Sequence, residues 1–172
     1  IRPRPRGIYA NAKYMGERLV RTYCHSYGLG TCIIRPSALY GERCISRRVS
    51  QVFIENALVG KPLLLEGGGD GRLDFTYIKD FVAGVTKVIE HPDSQNEIFN
   101  LTYGSSRSIM EMSEILKQHF PDVTIKNSPR DKLMPERGTL SVDKAKEKIG
   151  YDPQFPLDKG FVDYINWYKE FN

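Results

Sequence analysis

Tyr9-Ala10-Asn11-Ala12-Lys13-Tyr14-Met15-Gly16-Glu17-Arg18 is the stretch on which the fold turns. It begins a helical pattern over residues 8–27. Tyr9, Lys13, Gly16 and Val20 share one stripe of that helix, and Ala12, Met15, Leu19 and Tyr23 share the adjacent one. Gly28 and Gly30 follow as stop signals. The four-residue spacing puts the Tyr9 phenol and the Lys13 ammonium on one face. A phenol titrates near ~10 and is a poor base at neutral pH, and a neighbouring ammonium favours its ionised form. Such a pair can exchange a proton with a ligand hydroxyl. In a chain with ten tyrosines the spacing also arises by chance as a plain surface contact, so the surrounding sequence has to decide.

Outward from this helix, strand and helix patterns alternate. Thr31-Cys32-Ile33-Ile34 is a short apolar run closed by Pro36, as expected of a buried strand. A helix is expected over 46–58, with Val49, Val52, Phe53 and Ala57 inward, and a brief strand at Leu63-Leu64-Leu65. The run Gly67-Gly68-Gly69-Asp70-Gly71 precedes a strand rather than a helix, so it reads as a turn and offers no helix N-terminus to a phosphate. Further strands are expected at 75–78, 97–101 and 123–125, and helices at 79–90, 108–119, 143–149 and 157–171. Residues 1–7 read as a Pro-broken extended lead-in. The alternation argues for an α/β architecture. Neither a GxGxxG nor a Walker A stretch is present.

Composition narrows the function classes. With 40% hydrophobic and 27% charged residues over 172 positions, the chain can bury a core and is neither disordered nor a membrane span. Arg2, Arg4 and Arg6 lead into a polar helix rather than an apolar stretch, so no signal peptide is expected. Cys24, Cys32 and Cys44 form no CxxC pair, and His25, His91 and His119 are scattered, so neither a disulfide framework nor a metal site is expected. Residues 1–48 hold ten Lys/Arg against Glu17 and Glu42, within a net charge of +4. That basic segment suits a small anionic ligand better than nucleic acid, because the aromatic RNA-binding and the zinc-finger signatures are missing.

The stretch from Tyr9 to Arg18 resembles the catalytic helix of extended short-chain dehydrogenases/reductases, the NAD-dependent epimerase/dehydratase family of nucleotide-sugar enzymes. The likeness continues in order along the chain. Ile34-Arg35-Pro36-Ser37-Ala38-Leu39-Tyr40-Gly41 is similar to the family's R-P-x-N-V-Y-G strand and loop, and Gly60-Lys61-Pro62-Leu63 to its G-K-P stretch. Gly71-Arg72-Leu73-Asp74-Phe75-Thr76-Tyr77-Ile78-Lys79-Asp80 resembles R-D-F-x-x-V-x-D. Phe99-Asn100-Leu101 resembles F-N-[IVL], and Asp143-Lys144-Ala145-Lys146 with Ile149-Gly150-Tyr151-Asp152-Pro153 resembles the S-K-A … L-G-[WY]-x-P ending.

This resemblance implies the C-terminal part of a Rossmann-type doubly wound sheet plus a small substrate-binding α/β domain. Residues 1–45 would belong to the dinucleotide-binding domain, and 46–172 mainly to the substrate domain with interleaved Rossmann elements. It implies Tyr9 as acid/base, Lys13 on the ribose of NAD or NADP, and Pro36 and Ser37 beside the nicotinamide. Substrate contacts fall to Ala38, Arg72 and Arg137, the arginines holding the diphosphate of a nucleotide sugar through their planar forks, unless each serves only in a surface ion pair. A cytoplasmic homodimer paired through the Tyr9 helix is implied, with Tyr14, Arg18 and Tyr23 on its outer face.

Three departures stand out. Ala38 replaces the family's Asn. Leu73 stands where the family has arginine, which in a regular strand would turn Arg72 to the opposite side. The family's N-terminal half, with its glycine-rich turn, is absent from these residues. The chain alone is therefore expected to be a fragment with weak or no cofactor binding. Epimerase and dehydratase stay undivided, and a reductase or decarboxylase of the same family, a non-catalytic nucleotide-sugar binder, or a nucleic-acid module remain the alternatives.

Overall fold

The computed structural model describes Pro5, residues 7–131 and residues 137–171. Most of the lead-in over 1–7, including Arg2, Arg4 and Arg6, lies outside the described residues, as do Pro135 and Glu136 beside Arg137. The Tyr9 segment forms a twenty-residue helix, α1 (Ile8–Tyr27), closed by Gly28 in the left-handed region at φ 66. A short turn then leads into β1 (Ile33–Pro36) and β2 (Leu39–Tyr40). After α2 (Val49–Leu58) come β3 (Leu63–Glu66), a 3-10 turn through Gly67–Gly69, β4 (Arg72–Leu73) and β5 (Thr76–Tyr77). Then follow α3 (Ile78–Glu90), β6 (Ile98–Leu101), β7 (Arg107–Ser108), α4 (Ile109–His119), β8 (Ile125–Ser128), α5 (Asp143–Ile149) and α6 (Leu157–Phe171).

Strands pair across long stretches of sequence. β1 runs parallel to β6, β2 to β5 and β3 to β8, while β4 and β7 are antiparallel. Parallel pairing requires helical crossovers, and α3 supplies the one between β1 and β6. Two apolar clusters result. Phe99 and Leu101 of β6 are buried with Val88 of α3, Ala145 and Ile149 of α5, and Tyr151. The larger cluster joins Tyr40, Phe53, Leu65, Tyr77, Leu116, Phe161 and Tyr164 from α2, α4, α6 and the strands between them. Gly160 is required there, since a Cβ would come within 2.5 Å of the Tyr40 hydroxyl. α1 stands apart: none of its residues is buried.

Most boundaries match the sequence reading, and the exceptions have physical causes. β1 spans 33–36 rather than 31–34, because its register is set by Ile98–Leu101 while Thr31 bonds Asn96 in the preceding turn. α2 starts at Val49 rather than at 46, because Arg47 at φ 41 interrupts helical geometry just before it. β8 lies at 125–128 rather than at 123–125, because the Val123 N–H closes a turn onto the Phe120 carbonyl and pairing with β3 selects the polar residues beyond. Ile78 enters α3 rather than a strand. The α4 start has a reciprocal cap: the Ser108 hydroxyl accepts from the Glu111 N–H, and the Glu111 carboxylate from the Ser108 N–H.

Two buried aspartates fasten the loops at the ends of the strands. The Asp74 carboxylate accepts from the Thr102 hydroxyl at 2.9 Å, the Gly104 N–H at 3.0 Å and the Leu140 N–H at 3.1 Å. Asp80, in the first turn of α3, accepts from the N–H groups of Gln154 and Phe155. Burial pushes the Asp80 carboxyl above its ordinary range, against those two hydrogen bonds. Asp74→Ala strands the buried Thr102 hydroxyl and the half-buried N–H groups of Gly104 and Leu140, and a loss of about 3 kcal/mol of unfolding free energy is expected. Urea denaturation of the two proteins measures it, and a difference near zero would show that the clamp is not needed.

Candidate active site

The position of α1 is fixed by a two-point ion pair. Arg35 of β1 donates from Nε and Nη2 to the two carboxylate oxygens of Glu17, at 2.7 and 2.6 Å. This bond holds the Glu17 carboxyl below its usual range and raises the Arg35 guanidinium. The short turn between α1 and β1 makes the helix run back along the strand. Tyr9, eight residues before Glu17, then stands about 12 Å further along the helix axis. β1 ends at Pro36, one residue after Arg35, and Ser37 and Ala38 continue the chain from that end. Tyr9 and Lys13 therefore rise beyond the C-terminal end of β1, the edge at which open α/β sheets take their ligands.

Tyr9 is 76% exposed, and the Lys13 ammonium lies 5.6 Å from the centroid of its ring. Among the described residues neither side chain has a hydrogen bond or an ion pair. The buried tyrosines differ. Burial raises the phenols of Tyr40, Tyr77, Tyr151 and Tyr164 far above neutrality, so none of them can serve as a base near pH 7.

From Ala38 a cavity of about 560 Å³ opens toward the β3 turn. Leu39, Val49, Phe75 and Ile109 give it an apolar wall, and Arg48, Arg72, Arg130 and Arg137 face Glu66 and Asp70 around it. Three residues expected to contact substrate, Ala38, Arg72 and Arg137, thus come together from three separate segments. Pro36 ends β1 and Ser37 follows it; neither lines the cavity, and Tyr9 and Lys13 stand outside the lining as well.

The expectation that Arg72 turns away does not hold. β4 is only two residues long, so no pleat propagates, and Arg72 and Leu73 both reach the cavity. The Arg72 head group is already engaged: Nη2 donates to the Ser106 carbonyl at 2.5 Å, and Nη1 lies 3.7 Å from the Glu111 carboxylate. Arg130 and Arg137 make no ion pair among the described residues. Arg48 and Arg130 were not singled out in the sequence, where nothing but basicity marks them. Nor do Tyr14, Arg18 and Tyr23 form one face: at 100° per residue Tyr23 falls far from the other two. Tyr14 is half-buried on the Arg35 side, and Tyr23 is exposed beside Tyr27.

The sequence model described as the NAD dependent epimerase/dehydratase family matches residues 1–102. The chain belongs to the NAD-dependent epimerase/dehydratase family. Similar to this family member are a putative UDP-glucose 4-epimerase of Methanocaldococcus jannaschii, 30% identical over 98% of this chain and 55% of the relative, and UDP-glucuronate 4-epimerase 1 of Arabidopsis thaliana, 27% identical over 97% and 43%. Among solved structures, UDP-glucose 4-epimerase of Thermotoga maritima with UDP-glucose superposes with a TM-score of 0.90 at 26% identity, covering 98% of this chain and 55% of that one. The dTDP-glucose 4,6-dehydratase of Bacillus anthracis in complex with NAD shares the fold, with a TM-score of 0.88 at 20% identity over 98% and 54%. The fold is thus the α/β, Rossmann-type architecture of the family, and the chain spans about half the length of the curated relatives it matches.

Within this family member the backbone at Ala38 is unusual. Its φ of 32 lies in the left-handed region, and its carbonyl accepts from the Thr76 N–H at 3.3 Å. An alanine held there is strained by roughly 1–2 kcal/mol, whereas glycine adopts the region freely and asparagine more readily than other residues. Ala38→Gly is expected to raise unfolding free energy by about 0.5–1 kcal/mol, net of the added freedom of the unfolded chain. A thermal melt measures this; a lower midpoint for the glycine variant would show that the position is relaxed.

Proposed function

We propose that the protein is an NAD- or NADP-dependent nucleotide-sugar epimerase/dehydratase that oxidises and re-reduces a sugar hydroxyl through Tyr9 and Lys13. The observation that carries this is a phenol and an ammonium on one helix face beyond the C-terminal end of β1, without a hydrogen bond or ion pair among the described residues, while the chain after β1 leads through Ala38 into an arginine-lined cavity. The names of the relatives support it, since they describe epimerases and dehydratases of UDP- and dTDP-sugars. In this reading Tyr9, Lys13, Pro36 and Ser37 face the dinucleotide, and residues 1–45 belong to its domain. The elements from 46 onward serve mainly the substrate, with α3, β6 and α5 packed on β1 as Rossmann elements. The two separate apolar clusters support that division.

The dinucleotide, when bound, supplies an acceptor and later a donor of hydride. An exposed ammonium beside a free phenol suits it, because Lys13 can donate to ribose hydroxyls without first leaving an ion pair. The Tyr9 oxygen takes the proton of the reacting sugar hydroxyl and afterwards returns it. The Lys13 ammonium stabilises negative charge as it develops on that oxygen. Arg130 and Arg137, without an ion pair among the described residues, bind the diphosphate, while Arg72 adds a charge to the wall from a fixed position. The apolar wall at Val49, Phe75 and Ile109 takes the base.

A second copy pairs through α1 in this reading, and a cytoplasmic location goes with it. Ile8, Met15, Leu19 and Tyr23 leave an uncovered apolar stripe on the helix, in support of pairing. Light scattering at micromolar concentration should give twice the chain mass; a monomer mass would remove the pairing. No described helix is long and apolar enough to cross a membrane, and the three cysteines are free thiols, in keeping with a reducing compartment.

Tyr9→Phe in the complete protein is expected to lower kcat by about 10²–10⁴-fold with little change in nucleotide-sugar affinity. Steady-state kinetics beside a binding titration separates the two quantities. Undiminished turnover would exclude Tyr9 as the acid/base, and with it this function.

A further inference from the structure

Behind the arginines of the cavity stands Ser106, buried in the connection between β6 and β7 and absent from the cavity lining. Two separate segments meet at it. From β4, Arg72 donates through Nη2 to the Ser106 carbonyl at 2.5 Å and through Nε to its hydroxyl oxygen at 3.4 Å. From the other side Thr139 makes two bonds: its hydroxyl oxygen accepts from the Ser106 N–H at 3.0 Å, and its O–H donates to Ser106 Oγ at 2.9 Å. Thr139 follows Arg137 by two residues. Among the described residues Arg137 and Gly138 make no hydrogen bond. The chain beneath Arg137 is therefore fastened by Thr139 on Ser106 and by the Leu140 N–H on Asp74.

Resting on the function proposed above, we infer that Ser106 and Thr139 are positioning residues: their reciprocal bond couples Arg137 to Arg72, so that the two guanidinium groups meet the phosphates of the ligand at a set separation. Neither residue lines the cavity, so both act through the arginines. Arg72 is the anchored member, and Thr139 refers the Arg137 segment to it. An arginine loses rotamer freedom when it grips a phosphate, and a loose backbone beneath it would add a second ordering cost on binding. The bond to Ser106 meets that second cost during folding. Because Ser106 is buried, water competes poorly for its donor and acceptor.

The test measures UDP affinity by calorimetry for the complete protein, for Thr139→Val, Thr139→Ser and Arg137→Ala, and for the double variant that combines Thr139→Val with Arg137→Ala. Thr139 is exposed, and valine keeps its shape without the hydroxyl, so the fold is not at stake. Thr139→Val should weaken UDP about three- to tenfold, and Thr139→Ser should stay within about twofold of wild type. With Arg137 already replaced, the valine should cost less than about twofold more, because Thr139 works through that guanidinium. A purely structural role would not move with Arg137 in this way. Unchanged affinity in Thr139→Val, an equal loss in Thr139→Ser, or full additivity in the double variant would each overturn the assignment while wild type still binds UDP. Failure of wild type to bind UDP at all would instead remove the functional reading, and the assignment with it.

Discussion

The Glu17–Arg35 pair sets the geometry of the site. It is the contact that ties the middle of α1 to the middle of β1, and no residue of α1 is buried deeply enough to do this by packing. A bidentate guanidinium–carboxylate bond specifies direction as well as distance, which a hydrophobic contact does not. With that contact in place, α1 carries Tyr9 and Lys13 past the end of β1, from which Ser37 and Ala38 continue. Both partners are part of the stretches that mark the family. In the proposed function they act two turns away from the chemistry, through the placement of the helix that carries it.

A second layer of constraint comes from carboxylates used inside the fold. Asp74 and Asp80 carry no substrate in this reading; they gather backbone N–H groups from segments distant in sequence. Asp74 joins the strand beside Arg72 to the loop at 102–104 and to Leu140, close to Arg137. The walls of the cavity are therefore held from behind. The arginines in front are held to different degrees: Arg72 bonds Ser106 and faces Glu111, whereas Arg130 and Arg137 make no ion pair among the described residues. Position and freedom are divided among different side chains.

Much of this was legible in the sequence. The period of α1, its glycine stop, and the alternation of strands and helices follow from local patterns, and the spacing of Tyr9 and Lys13 alone places them on one helix face. What stayed hidden depends on partners remote in sequence. The ends of β1 and β8 follow the register of β6 and β3, so their own residues misplace them by two positions. Arg48 and Arg130 meet only because α2 and β8 come to the same cavity, and no periodicity announces that. The left-handed backbone at Ala38 is invisible because alanine is not a residue that signals it; asparagine there would have.

The uncovered state of α1 has a consequence for control. A helix fastened, among the described residues, by one ion pair and a Cys24–Thr31 hydrogen bond, with its oily stripe open to water, gains order from whatever lies against that stripe. In the reading proposed above the Tyr9–Lys13 pair rides on this helix, so its chemistry is thermodynamically linked to the covering of the stripe. On that reading, a competitor for the stripe would silence the chemistry without touching a single group that performs it.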